Sequence, residues 1–234
     1  MNFFFLLLII RSGWAIHAGS ARGFWTPRAR LARGPFPARE QGERLSLGIW
    51  WHVSLDALWL VNGVVFFVLL FATGQWMRLV PLHWDVFPNA ISVAIQYASL
   101  EWPLENGWVN YNGLQLIAYF VTVFIAAPLA VITGLRTFPT GLRINRFPIS
   151  VPAARKLHFY VMVWFVAFTF VHLVLVFATG ALNNLNHMYA GRNDDNWVGF
   201  WIFAVSMVVA IVGWIAVTPF TIRFLASLSG KVTR

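Results

Sequence analysis

The chain has 234 residues, of which 59% are hydrophobic and 17% aromatic. Only 11% are charged, whereas an average soluble domain carries about 25% charged residues. A soluble domain of this size could not keep so much apolar surface away from water, so the composition excludes an ordinary soluble enzyme and a disordered chain. The formal charge of +9 would suit nucleic acid, but charges are too sparse within the apolar segments to form a binding face. We therefore expect an integral membrane protein whose partners include membrane lipid and no nucleic acid.

Five apolar segments predict helices, at about residues 1–16, 47–73, 114–135, 157–180 and 197–218. The last four reach the roughly 20 residues that a membrane-spanning helix needs. Each of the four is followed closely by glycine or proline: Gly74, Gly134 with Pro139, Gly180 and Pro219. The first segment is shorter, contains Arg11, and lacks the basic residues that begin a signal peptide. The sequence predicts an all-α integral membrane helical bundle, a single domain over residues 1–234 with four full transmembrane helices and a short or truncated N-terminal helix.

Basic residues are concentrated in the loops after the first, third and fifth predicted helices. Fifteen of the 17 lysines and arginines lie within residues 11–46, 136–156 and 219–234. Because positive loops usually face the cytoplasm, these loops are predicted to lie inside and the N-terminus outside. Loop 11–46 could also be basic because it meets a partner or a cofactor. The opposite loop, residues 74–113, is rich in aromatic residues that suit a membrane interface, and we expect a short surface helix near Asn89–Leu100.

Histidines are the natural candidates for holding a cofactor in this chain. There are no cysteines, which excludes disulfides, thiolate-held iron–sulfur clusters and covalently attached haem. Three of the six histidines lie inside predicted helices, where ionisable side chains are rare and usually functional: His52, His158 and His172. His158 and His172 are 14 residues apart on one helix, so they face nearly the same direction, about 21 Å apart along its axis.

Histidines at two depths of one helix are the arrangement that two haems stacked across a bilayer require, because neutral imidazole is a haem ligand. His52 and His158 lie near the starts of two helices that both begin on the basic side. They could therefore ligate one iron from opposite faces. Such a bis-histidine haem leaves no position open for substrate and suits electron transfer. The alternative is that each histidine is a buried polar residue hydrogen-bonded to a neighbouring helix.

Charged and amide side chains near the histidines are further candidates. Arg44 and Arg155 lie on the basic side and could contact haem propionates, although they also fit the general positive charge there. Asp56 lies one turn after His52 and either hydrogen-bonds a ligand imidazole or sits at the interface. Four amides are candidates for contacts to a quinone, with helix capping and loop hydrogen bonding as the alternative: Asn112, Gln115, Asn183 and Asn184.

Motifs spread over nearly the whole chain point to a known family. They are NFFFLLLIIRSGWAI (Asn2–Ile16), LVNG after His52 (Leu60–Gly63), RLVP (Arg78–Pro81), YNGLQ…TGL (Tyr111–Leu135) and LHF…VHLV…NN…GR (Leu157–Arg192). With these motifs the sequence resembles the bacterial di-haem cytochrome b subunits of the cytochrome b561/nickel-hydrogenase superfamily (cytochrome b/b6 domain proteins). That superfamily includes the membrane anchors of hydrogenase, formate dehydrogenase and thiosulfate reductase. The paired histidines of the fourth predicted helix are the most specific element.

The resemblance implies two haem b groups. It makes His52 and His158 the axial ligands of one iron and His172 a ligand of the other. In the family, the remaining ligand comes from a His-Trp pair just before a segment like Asn2–Ile16, which here would lie upstream of Met1. We therefore expect that the start of the chain is assigned too late. The alternative is one complete and one incomplete haem site.

The resemblance also implies a function in a respiratory electron-transport chain of the bacterial inner membrane. The protein would transfer electrons between the quinone pool and a partner redox subunit, a molybdopterin oxidoreductase, and would be a subunit rather than an enzyme alone. One alternative is a stand-alone membrane reductase such as a ferric reductase, although no donor-binding domain is visible in the sequence. Another is a non-haem transporter, which the lack of repeated halves with interrupted helices disfavours.

Overall fold

The fold is built almost entirely from helices that follow the apolar stretches of the sequence. The structure, a computed structural model, describes residues 2–18, 30–31, 45–102, 107–138, 149–230 and 232–233. The helices in these ranges are α1 (Asn2–His17), α2 (Leu47–Ala72), α3 (Val86–Ala98), α4 (Gly113–Phe120), α5 (Ala127–Thr137), α6 (Val151–Ala178), α7 (Ala181–Leu185), α8 (Val198–Ala216) and α9 (Pro219–Ser227). A 3₁₀ turn covers Gln75–Arg78, π-helical turns cover Val121–Ala126 and Asn186–Ala190, and the short strands are β1 (Arg30–Leu31), β2 (Leu45–Ser46) and β3 (Val232–Thr233).

Four helical stretches in the described ranges are long and apolar enough to cross a membrane. They are α2, the continuous run Gly113–Thr137 from α4 through a π turn to α5, α6, and α8, whereas the N-terminal helix is shorter. Large apolar side chains along these stretches point outward, among them Val61, Phe170 and Val209. Lipid provides the apolar surroundings that such a surface requires. The predicted all-α membrane bundle with four full spanning helices is confirmed.

Local capping chemistry moves some helix ends away from their predicted positions. α6 begins about six residues earlier than predicted, because the Ser150 hydroxyl accepts a hydrogen bond from the Ala153 amide and Pro152 fits the first turn. Gly134, expected near a helix end as a stop signal, lies inside α5. Pro219, expected to follow the last helix, opens the additional helix α9.

A surface helix precedes the second spanning stretch, as the sequence predicts near residues 89–100. α3 packs against the start of α4 at Gly113, where a Cβ would lie 2.5 Å from the carbonyl oxygen of Val86. The Gly113 amide donates a hydrogen bond of 2.6 Å to Oδ1 of Asn89. Asn112 and Gln115 form a reciprocal capping box at the start of α4. The capping interpretation of these two amides is confirmed.

The chain divides into two compact units. The first comprises Met1–Phe67, Phe138–Arg143 and Met207–Arg234, and the second comprises Val68–Thr137 and Ile144–Ser206. The buried apolar cluster of the first unit consists of Leu47, Trp50, Ile222 and Ala226. In the same unit β1 pairs antiparallel with β2 and with β3, in a small sheet that the sequence did not predict. In the second unit α3 packs on α4 and α5 packs on α6. The single domain over residues 1–234 remains a prediction.

Arg11, the charge within the first apolar segment, caps another helix of the same unit. Its guanidinium donates hydrogen bonds of 2.8 and 3.0 Å to the carbonyl oxygens of Trp214 and Val217, and it lies 4.6 Å from the centre of the Trp214 ring. The last carbonyl groups of a helix have no partner within the helix, so a guanidinium can satisfy two of them at once. Arg11, a charged residue within an apolar segment, therefore stabilises the end of α8.

Candidate functional site

His52 lies in the second turn of α2 and is largely buried, with 15% of its side chain exposed. Its Nδ1 lies 2.8 Å from the hydroxyl oxygen of Ser12 on α1. The same hydroxyl donates a hydrogen bond of 2.9 Å to the carbonyl oxygen of Ile9, one turn earlier in α1. A Cβ on the neighbouring Gly13 would lie 3.2 Å from Cε1 of the imidazole, so α1 closely contacts the ring.

His158 lies in the third turn of α6 and has a matching environment within the second unit. Its Nδ1 lies 2.8 Å from the hydroxyl oxygen of Thr133 on α5. Thr133 is fully buried, and its hydroxyl donates to the carbonyl oxygen of Leu129 at 2.5 Å, with that of Ala130 at 3.3 Å. A Cβ on Gly134 would lie 3.5 Å from Cε1 of this imidazole. Both histidines therefore face a hydroxyl residue and the glycine that follows it.

One tautomer of both imidazoles suits metal binding. Each hydroxyl lies within hydrogen-bonding distance of a carbonyl oxygen of its own helix and of Nδ1 of the histidine. A hydroxyl has one proton; when that proton goes to the carbonyl oxygen, the hydroxyl accepts from the ring and Nδ1 carries the hydrogen. In a neutral imidazole of this form the lone pair lies on Nε2, and a metal binds the ring nitrogen that carries the lone pair. The hydroxyl contacts therefore allow both rings to act as Nε2 donors.

His172 lies nearer the other end of α6, in aromatic surroundings. Its ring stacks on that of Phe168, one turn earlier, with centroids 5.7 Å apart and an angle of 8° between the planes. The ring of Tyr119 on α4 meets it edge-on at 6.2 Å. Within the described part of the chain its ring nitrogens form no hydrogen bond. Because α6 is uninterrupted, the predicted spacing between His158 and His172 corresponds to about 21 Å of helical rise.

Asp56 lies on the opposite side of the His52 ring from Ser12. Its Oδ2 is 3.5 Å from Nε2 of the imidazole, the nitrogen that would face a metal. A carboxylate that supports a ligand imidazole bonds to the nitrogen that points away from the metal. Ser12 holds that position here, so a group bound at Nε2 requires the half-exposed Asp56 side chain to turn aside.

The remaining polar candidates are spread over the surface and the loops. Arg155 is exposed in the first turns of α6, and Arg44 lies outside the described residues. Asn184 donates hydrogen bonds of 3.0 Å to the carbonyl oxygen of Val176 and to the hydroxyl of Thr179. This contact matches the loop hydrogen bonding that the sequence offered as the alternative to a quinone contact.

The histidine donors fit a haem better than a bare metal ion. Among the described residues, no three His, Asp or Glu side chains form a group that could hold a metal ion. A haem iron needs only its axial ligands from the protein, because the porphyrin supplies the other four nitrogens. Neutral Nε2 donors on apolar helices meet that need. His52 belongs to the first unit and His158 and His172 to the second, so the pairing of His52 with His158 rests on the sequence.

Ser12 and Thr133, with the glycines that follow them, were missed by the sequence reasoning. The signal was present as a hydroxyl–glycine dipeptide near the end of one helix, followed by a histidine near the start of the next. In two cases the hydroxyl contacts that histidine, between α1 and α2 and between α5 and α6. Gly134 was interpreted only as a stop signal, and Ser12 only as part of a poorly spanning helix.

The chain finds no match among protein-family models, curated proteins or solved structures. The resemblance to the cytochrome b561 family therefore stays a prediction. The histidine environments are the observations on which a functional proposal can be built.

Proposed function

We propose that this protein is a membrane-embedded b-type cytochrome that transfers electrons through histidine-ligated haem. The observation that carries the proposal is the pair of imidazoles, His52 and His158, each with Nδ1 2.8 Å from a hydroxyl oxygen of a neighbouring helix. Both lie on helices that are long and apolar enough to span a membrane. Ionisable side chains in such helices are rare and usually have a function.

In both histidines the hydroxyl faces Nδ1, the nitrogen that points away from the metal in a haem ligand bound through Nε2. A histidine that only joins two helices can donate or accept through either nitrogen, so hydrogen bonding alone agrees with both interpretations. A haem ligand must keep Nδ1 protonated and Nε2 basic. The hydroxyls beside Nδ1 of His52 and His158 can stabilise this form, and a glycine of the adjacent helix lies beside the edge of each ring.

Each candidate residue has a distinct role in this proposal. The family resemblance implies that His52 and His158 would hold one haem b, and both lie near the ends of apolar helices that adjoin basic loops. His172 is a ligand of a second haem b at the opposite depth of α6. Arg155 and Arg44 would bind propionates. The haem, when bound, supplies reversible one-electron chemistry, and the chain supplies ligands, orientation and apolar surroundings.

The partners follow from the family resemblance. Electrons would pass between the quinone pool and a redox subunit, a molybdopterin oxidoreductase, in the inner membrane of a bacterium. Two histidines at different depths of one continuous helix support transfer across the bilayer. A haem held by two histidines would carry electrons without binding a substrate, as expected for one subunit of an oxidoreductase.

Reduced-minus-oxidised absorption spectra of the purified full-length protein test this proposal. We expect the sharp α-band of a six-coordinate haem b, and we expect His158→Ala to lower the haem content by about one per chain, because it removes an axial ligand. His83→Ala is the matched control, because His83 is exposed in a loop. Absence of the band from the wild-type protein would refute the cytochrome proposal. Unchanged haem in His158→Ala would refute the ligand assignment alone.

A further inference from the structure

Within the described residues, a hydroxyl–glycine dipeptide faces a histidine twice, once in each unit. Ser12–Gly13 near the end of α1 faces His52, and Thr133–Gly134 near the end of α5 faces His158. We infer that the two dipeptides are one repeated positioning device for a haem-ligating imidazole. The hydroxyl favours one tautomer and one rotation of the ring, and the glycine lies beside the ring edge, closely enough at Gly13 that a Cβ would push the ring. This inference rests on the proposed function and names the residues that prepare its ligands.

The hydroxyl acts through a chain of two hydrogen bonds. A carbonyl oxygen one turn earlier lies 2.9 Å from the Ser12 hydroxyl and 2.5 Å from the Thr133 hydroxyl, so it can take the hydroxyl proton and leave a lone pair for the ring. In the proposed device the ring then carries its hydrogen on Nδ1. Without the hydroxyl, the ring can rotate or place its hydrogen on Nε2, and that form cannot bind iron through Nε2. Losing such a supporting contact typically lowers metal affinity by about 10–100-fold.

The glycine acts through space. A Cβ would lie 3.2 Å from Cε1 of His52 at Gly13, closer than ordinary contact, and 3.5 Å from Cε1 of His158 at Gly134, within ordinary contact. An added methyl group therefore pushes the first ring and only touches the second. If the two glycines served only helix flexibility, alanine would not have a larger effect at Gly13 than at Gly134.

Two other hydroxyls in spanning helices provide matched controls. Ser206 on α8 donates to the carbonyl oxygen of Phe203 at 2.7 Å, and Thr73 at the end of α2 donates to that of Leu69 at 2.7 Å. These bonds within a helix are equivalent to those of Ser12 and Thr133, but neither hydroxyl contacts a histidine. If hydroxyls matter only to their own helices, all four substitutions have the same effect.

The test measures haem retention and the ferric electron paramagnetic resonance spectrum of the full-length protein in detergent. The variants are Ser12→Ala and Thr133→Val, their conservative counterparts Ser12→Thr and Thr133→Ser, and the controls Ser206→Ala and Thr73→Val. Retention is followed as the loss of haem to an excess of a haem-scavenging apoglobin. We expect Ser12→Ala and Thr133→Val to weaken retention by about 10–100-fold and to shift the low-spin g-values. The conservative variants restore both properties, and the controls match the wild type.

If all six variants bind haem equally well and with the same g-values, the positioning inference is overturned and the proposed function still stands. A wild-type protein that binds no haem overturns both. If Ser12→Ala fails to insert in the membrane, Gly13→Ala and Gly134→Ala provide a second test in which both hydroxyls are kept. A larger g-value shift for Gly13→Ala than for Gly134→Ala supports the inference, and equal spectra overturn it.

Discussion

Replacing Gly13 by alanine adds one methyl group beside the imidazole of His52, and the same change at Gly134 adds one beside that of His158. The two substitutions are a matched pair, since each glycine lies inside a helix, follows a hydroxyl residue and faces Cε1 of a histidine. The new Cβ would lie 3.2 Å from that atom in the first case and 3.5 Å in the second. Because ordinary contact begins at 3.4 Å, only the His52 ring has to move, by about 0.2 Å.

Two effects of opposite sign determine the change in stability. Alanine is more favourable than glycine in a helix interior by about 1 kcal/mol, and this gain applies to both positions. Forcing extra volume into a filled site costs about 1–3 kcal/mol, and a shortfall of about 0.2 Å places Gly13→Ala at the lower limit. We therefore expect Gly134→Ala to stabilise the protein by about 1 kcal/mol and Gly13→Ala to leave its stability nearly unchanged.

Thermal unfolding of both variants in one detergent, followed by circular dichroism, measures this difference. A gap of about 1 kcal/mol corresponds to roughly 2–4 °C in the unfolding midpoint for a chain of this length. If the displacement costs the iron–imidazole bond a similar amount, haem retention falls about fivefold in Gly13→Ala. Equal midpoints and equal haem retention in the two variants would show that the rings do not contact their glycines as described, and the reasoning would be wrong.

Three further changes test other contacts. Arg11→Leu removes both hydrogen bonds to the end of α8 and should cost about 1–2 kcal/mol; an unfolding midpoint equal to the wild type would contradict the capping role. Asn186→Ala removes a fully buried amide that bonds the backbone of Asp194, Asn196 and Gly199. This substitution should destabilise the protein by about 1–3 kcal/mol for each group left unsatisfied. If Asn186→Ala lowered the unfolding midpoint less than Arg11→Leu does, the expectation would be contradicted. His172→Phe keeps an aromatic ring against Phe168 and should lower haem content while leaving the midpoint nearly unchanged; full haem content would exclude His172 as a ligand.

The membrane-spanning helices were predictable because their signal is local. A run of apolar residues long enough to cross a bilayer has few other uses, so all four spans were found within a few residues of their ends. The exception is the start of α6, where the cap at Ser150 extends the helix into a segment with basic residues. Hydropathy does not register a cap, because a cap depends on one hydroxyl and one amide.

The surroundings of the histidines were not predictable from the same signal. Whether Ser12 meets His52, or Thr133 meets His158, depends on how two helices are rotated about their axes, and apolar composition does not define that rotation when all sides of a helix are apolar. The partners of Arg11 were not predictable for a related reason, since they lie at the end of α8, some 200 residues later in the chain. The histidines themselves stood out because ionisable residues in such segments are rare.

The haem content of the purified wild-type protein tests the central claim most directly. The protein should be produced in cells supplied with ample haem, isolated as a folded helical species, and analysed for haem that organic solvent extracts. The proposed function predicts non-covalently bound haem b with the low-spin spectrum of bis-histidine ligation, since the chain has no cysteine to attach it. A folded, membrane-inserted protein that carries no haem would contradict it.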